Sequence, residues 1–157
     1  MKTTRNILLG LTTAALTAGM VFAGSHTTPE GQAVAARHAH MDLYQFNLGI
    51  LGNMAKGAVD FNEDIAMGAA KDLAALANMS QASYWIPGTT SEEFEGSRAL
   101  PAAFTDMDDA IAKSTALAEA ANAMAEAAGT LDGIKANLGK VGGACGACHK
   151  AYRAPSS

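Results

Sequence analysis

Cys145-Gly146-Ala147-Cys148-His149 is the stretch of this chain whose residue types and spacing could do chemistry together. It is one intact C-x-x-C-H, the attachment motif for c-type haem. The chemistry explains the spacing: two thiols add to the two haem vinyl groups, and the next residue offers an imidazole to the iron. On a helix, positions 145, 148 and 149 are three and four residues apart, so their side chains share one face. The chain has two cysteines, and both are used here. Two other chemistries use such a pair. A thioredoxin-like redox pair belongs in a βαβ setting, and nothing in the pattern reads as strands. A structural zinc site takes four ligands, usually as two spaced pairs, and there is no second pair. The reading is one haem c, covalent through Cys145 and Cys148, with His149 as the proximal iron ligand.

Such a group needs helices to hold it, and apolar periodicity supplies four. The first is expected over 32–56, with Val34, Met41, Tyr44, Leu48 and Leu51 as its stripe, Arg37 at the same spacing and Gly57 as C-terminal stop. The second covers 62–78, with Phe61, Ile65, Ala69, Leu73 and Leu76 on one side and Asp60 or Asn62 as cap. A long connection follows over 80–100. It contains Pro87-Gly88-Thr89-Thr90-Ser91 as turn chemistry, Glu92, Glu93 and Glu95 as solvated acids, and Trp85 and Ile86 as anchors. The third helix is expected unbroken over 101–128, with Met107, Ile111, Ser114, Leu117, Ala121 and Met124 on one face. Thr130 caps the fourth, over 131–152, whose stripe runs Leu131, Ile134, Leu138, Val141, Cys145, Cys148, Tyr152. Short links join the first two helices and the last two, which implies antiparallel neighbours. The fold class is all-α: an antiparallel four-helix bundle with one long crossover loop and covalently bound haem.

The ends and the charge bound the setting. Lys2 and Arg5 precede an uncharged apolar run from Ile7 to Phe22, and Val21 and Ala23 suit a cleavage site. Residues 1–23 read as a cleaved signal peptide and 24–157 as a single domain; the run of about sixteen residues is short for a membrane span. Export predicts the periplasm, where bacterial c-type haem is attached. It also means the thiol pair must be captured reduced, before a disulfide closes. The chain carries 11 Lys+Arg against 15 Asp+Glu, net −4. Losing Lys2 and Arg5 leaves nine against fifteen, or −6. That excludes a nucleic-acid binder, and no later apolar run is long enough to span a membrane in the mature form.

The chain resembles the class II cytochromes c, the cytochrome c′ family. The residues that carry the likeness are Cys145-Gly-Ala-Cys-His149-Lys-Ala-Tyr152-Arg153 at the C-terminal end, with Leu138-Gly139 and Gly142-Gly143 leading into it. Ala99-Leu100-Pro101-Ala102-Ala103-Phe104 resembles the start of the third helix, where Phe104 stands in a position more often Trp. Arg37-His-Ala-His-Met41 and Lys56-Gly57 resemble the two ends of the first helix. The resemblance implies two functional branches. One has high-spin iron with an open distal side and binds nitric oxide or carbon monoxide. The other, cytochrome c-556, has a methionine sixth ligand and carries electrons. The distal position of the family matches Met41, and the segment Asn47–Gly57 looks more like the low-spin branch. The resemblance also implies a propionate partner at Arg37 and a homodimer through the first two helices.

The expectation drawn from these residues is a periplasmic monohaem cytochrome that transfers electrons through His149/Met41-ligated iron to unidentified redox partner proteins. A thioether ligand raises the potential of such a haem. The alternative is a high-spin cytochrome c′, with Met41 as ordinary packing. An enzyme ranks last, because His38 and His40 are the sole distal acid–base candidates. His38, about 60° from Met41 around the helix, is the histidine expected nearer the haem edge, and His40, about 100° away, the farther one. A charge such as Arg37 on an apolar stripe needs a partner, and a haem propionate is the one favoured over solvent. Arg153 follows His149 by one turn, near the proximal pocket or in solvent. Gly142 and Gly143 cost helix stability, and close approach of haem to their backbone is the reason to place them there.

Overall fold

Thr28 opens the first helix of the computed structural model, which describes residues 28–155. Its Oγ1 accepts the Gly31 N–H at 3.1 Å, and Pro29 sits where its missing N–H costs nothing. This helix, α1, runs Pro29–Ala55. It ends in a Schellman motif: Gly57 N–H bonds the Met54 carbonyl at 3.0 Å and Ala58 N–H bonds the Asn53 carbonyl at 2.9 Å. Gly57 has φ +72°, the left-handed region that favours glycine, so the stop expected there is present. Helix α2, Glu63–Asn78, starts at Asn62, whose Oδ1 accepts from Ile65 N–H at 3.0 Å. Helix α5, Leu131–Tyr152, starts at Thr130, whose Oγ1 accepts from Gly133 N–H at 3.1 Å. The signal peptide, the Gly24 terminus and His26 lie outside the described residues.

The third helix is two. A single turn, α3 (Ala102–Thr105), is followed by α4 (Met107–Ala127), and Asp106 between them has φ −107° and ψ 58°. Its N–H closes back on the Ala102 carbonyl at 2.9 Å, while its carboxylate accepts from the Tyr152 hydroxyl at 3.1 Å. Asp109 accepts from the same hydroxyl. A contact with the far end of the chain overrides a run of good helix formers.

α1 packs on α2 and α5, and α4 packs on α2 and α5, which closes the four-helix ring. Leu51, Leu73, Met124, Ile134 and Val141 are fully buried at its centre. α2 contributes a face of small residues, Ala66, Ala69, Ala70, Ala74 and Ala77, which lets its neighbours approach closely. Ile65, expected on that face, is 52% exposed. The buried residues of α1 keep Val34, Tyr44 and Leu51 of the expected stripe and add Ala33, Arg37, His40, Asn47 and Met54. At about 100° per residue, the buried face is shifted from the expected stripe toward His40 and Asn47. Three polar residues lie inside, and Leu43 and Phe46 lie outside at 50% and 65% exposure. No helix among the described residues is long and apolar enough to cross a membrane.

Candidate haem-binding site

The last turns of α5 bring Cys145, Cys148 and His149 to one face, all half-buried. Both thiols are free, and Cys145 packs against the bundle core. Burial pushes both thiols up from their ordinary range. For Cys145 the neighbouring Cys148 adds to this; for Cys148 the Lys113 cation pulls down and Asp109 pushes up. Among the described residues no three His, Cys, Asp or Glu side chains gather closely enough to hold a bare ion. The thiols and the imidazole are instead spread along a helix face, the spacing a macrocycle needs.

A cavity of about 390 Å³ opens in front of Cys148. Met41 and Tyr44 line it from α1, Trp85 from the crossover, Ile111 and Leu117 from α4, and Cys148 from α5. The apolar stripe of α4 is divided here. Its C-terminal half, Ala121 and Met124, is buried in the core, while Met107 and Ile111 face the cavity. A largely apolar cleft lined by Cys148, one turn from Cys145, fits a large flat apolar group. Cys145 and Cys148 are the residues to hold it, and His149 is the one to meet its metal. Burial lowers the proton affinity of His149, and the Arg153 and Arg98 cations lower it further. Both effects favour the neutral imidazole, the form that ligates iron.

The distal expectations fare differently. Met41 does line the cavity, from the edge of the α1 stripe, at 37% exposure. The two histidines exchange roles. His38 is exposed, and His40 is 2% exposed, with its ring 4.7 Å from Tyr44 and 6.0 Å from Tyr84. Its Nε2 is buried without a partner, as is the Tyr44 hydroxyl. Burial, with a smaller push from Cys145 against a pull from Gln81, sends the Tyr44 phenol up to about 12. The rotated stripe of α1 accounts for the exchange.

Arg37 is buried at 5% exposure, and its partners are protein atoms instead of solvent. Nη1 donates to the Tyr84 carbonyl at 2.6 Å and to Thr89 Oγ1 at 2.9 Å; Nη2 donates to the Thr89 carbonyl at 2.8 Å and to Ser97 Oγ at 3.3 Å. Its Cζ also lies 5.0 Å from the Trp85 ring centroid and 5.8 Å from that of Phe104. All four terminal N–H groups are engaged by the crossover. Only Nε is left for the expected propionate partner. The loop is anchored by Thr89, fully buried, and Ser97, more than by the half-buried Trp85 and Ile86. No run of apolar residues signalled that anchor. Arg153 is exposed. Gly142 and Gly143 are exposed too, and a methyl placed on either would meet no protein atom within 4 Å.

A helical bundle whose last helix carries C-x-x-C-H on a half-buried face, with Cys148 lining an apolar cleft and Cys145 and His149 outside that lining, defines a class, that of C-terminal-motif haem proteins. A family profile described as Cytochrome C′ matches residues 32–153. Cytochrome c-554 of Cereibacter sphaeroides is 38% identical over 121 residues, 76% of this chain and 79% of that one. The solved cytochrome c′ from Rhodobacter sphaeroides superposes with a TM-score of 0.78 at 33% identity, covering 81% of this chain and 98% of the other. A nitric oxide complex of a cytochrome c prime variant from Alcaligenes xylosoxidans gives 0.71 at 28% identity, covering 83% and 98%. The chain belongs to the cytochrome c′ family. These likenesses define the family and do not single out its low-spin, methionine-ligated branch.

Proposed function

We propose that this protein is an exported monohaem cytochrome c′ that binds a diatomic gas, nitric oxide or carbon monoxide, on the α1 side of its haem. The observation that carries the reading is the apolar cleft between α1 and the thiol-bearing α5, in a chain similar to one solved with nitric oxide. When bound, haem would supply an iron able to take a diatomic ligand. The chain's own residues do the rest. Cys145 and Cys148 fix the group by thioether bonds. His149 offers a neutral imidazole. Leu117, Ile111 and Trp85 give the cleft its apolar wall. Met41, long and unbranched, packs over the site without closing it.

Electron transfer through a His149/Met41 pair is the second reading, and the presence of Met41 on the cavity wall is what favours it. One experiment separates them. The reading of an open site expects a high-spin ferric spectrum and ready carbon monoxide uptake by the ferrous protein. A low-spin ferric spectrum with a far-red sulfur-to-iron band, together with refusal of carbon monoxide, overturns it in favour of the electron carrier.

A further inference from the structure

Charge is unevenly placed along this chain. Residues 131–153, which are α5 and its cap, carry four Lys+Arg against one Asp, a balance of +3. Residues 28–130 carry five against fourteen Asp+Glu, a balance of −9. Lys135, Lys140, Lys150 and Arg153 are all exposed. Among the described residues the one ion pair, Lys113 with Asp109, involves none of them. At about 100° and 1.5 Å per residue, Lys135 and Lys150 stand about 60° apart on one side of α5 and about 22 Å apart along it. Lys140 flanks that side, and its Nζ donates to Asn137 Oδ1 at 3.1 Å. Between the lysines Gly139, Gly142, Gly143 and Gly146 are exposed, so no side chain keeps a visitor away from the helix. The helix dipole favours the cations at Lys150 and Arg153 and the anion at Asp132, but it gives no reason for Lys135 or Lys140.

We infer that the exposed face of α5 is a docking surface for an acidic protein. Its cations have no carboxylate of this chain to pair with, so they are available to a partner's. The large exposed apolar residues lie elsewhere: Leu43 and Phe46 on α1, Ile65 on α2, Met107 and Ile111 on α4, and none on α5. The face therefore recognises by charge and not by apolar burial. An anionic bilayer is the poorer match. It meets a protein over a wide area, where the −9 outside α5 is repelled, and stable attachment needs apolar side chains to insert. A protein can present carboxylates to one helix face alone. Because α5 also carries Cys145, Cys148 and His149, a partner seated there stands within about 10 Å, one helix diameter, of the haem-attachment residues. Docking on this face goes beyond the proposed function and needs no choice between a gas-binding and an electron-carrying iron.

The test uses the full haem-loaded chain, with a fluorescein-labelled oligoglutamate peptide as the acidic probe. Fluorescence anisotropy at low ionic strength should show binding in spite of the net negative charge of the chain, and added salt should weaken it steeply. Zero-length carbodiimide cross-linking should join the peptide to Lys135, Lys140 or Lys150 and not to the exposed Lys56 and Lys71. Lys135→Gln with Lys150→Gln should weaken binding about tenfold. Lys56→Gln with Lys71→Gln changes the net charge equally and should leave binding as it is. Arginine at 135 and 150 should keep the affinity, which separates loss of charge from any loss of fold. No binding at low salt overturns the inference. So does an equal loss in the Lys56 and Lys71 pair, because the attraction is then diffuse. Phosphatidylglycerol vesicles that bind more tightly than the peptide, with the same loss in the Lys135 and Lys150 pair, also overturn it and make the face a membrane contact.

Discussion

Replacing Arg37 by leucine tests whether the crossover loop is held by one buried cation. The substitution removes four hydrogen bonds, but their acceptors are not equally dependent on it. The Thr89 carbonyl keeps the Ser97 hydroxyl at 2.8 Å, and the Thr89 hydroxyl keeps its own bond to the Ile86 carbonyl at 2.6 Å. The Tyr84 carbonyl is the acceptor left exposed to the loss, which costs about 1–3 kcal/mol. The cation over the Trp85 face contributes about 1–2 kcal/mol more when desolvated. Leucine returns part of this by burying apolar surface, which leaves a net loss of about 2–4 kcal/mol. That is a large share of the roughly 5–15 kcal/mol that holds a domain together. At about 3–4 °C per kcal/mol for a domain of this size, the apparent melting point should fall by about 10 °C. Circular dichroism melts and amide exchange over residues 84–100 are the assay, with the loop losing protection most. Arg37→Lys should rescue little, because a point charge cannot replace a planar fork. If Arg37→Leu leaves the melt and the loop exchange unchanged and alters only the haem potential, the clamp reading is refuted and the propionate role regained.

Three further outcomes follow from particular contacts. A Cβ at Gly133 would lie 2.0 Å from the Ala127 carbonyl oxygen, so Gly133→Ala should destabilise the α4–α5 turn by about 1–3 kcal/mol or more, while Gly139→Ala, in open space, should be neutral or stabilising; paired denaturant titrations decide. Burial lowers the proton affinity of His40, with the Leu76 backbone offsetting part of it, so the unfolded chain binds the proton more readily: stability from this site is full above about pH 6.5 and is lost as pH falls below it. His40→Phe should flatten the fall in unfolding free energy between about pH 7 and 5, and an unchanged slope counts against the buried site. Tyr152→Phe removes the donor shared by Asp106 and Asp109 and should cost about 1–2 kcal/mol of stability, read by urea unfolding.

Local signals carried most of what was legible. Thr130, Asn62 and Gly57 mark helix ends because capping is chemistry between near neighbours in sequence, and all three ends lie where those residues put them. The C-x-x-C-H motif is legible for the same reason: its three groups share one helix face, so no fold is needed to bring them together. The cavity wall was partly legible, since Met41 and Cys148 both line it. Tyr44 was placed on the α1 stripe, but not its cavity-lining position or its unpartnered hydroxyl.

Tertiary structure decided the rest. The side of α1 that turns inward depends on what faces it. The crossover offers carbonyls and hydroxyls, so Arg37 is buried, and the buried face extends to His40 and Asn47 while Met41 and Leu48 lie at its edge. Hydrophobic periodicity has no means of registering a polar partner about fifty residues away. The break at Asp106 and the delivery of Arg98 to the end of α5 share that cause, since each depends on a bond to residues 152–154. The sequence by itself determined where most helices begin and end and which residues share the C-x-x-C-H face; the bonds between distant segments determined which faces of those helices look inward and where the third helix breaks.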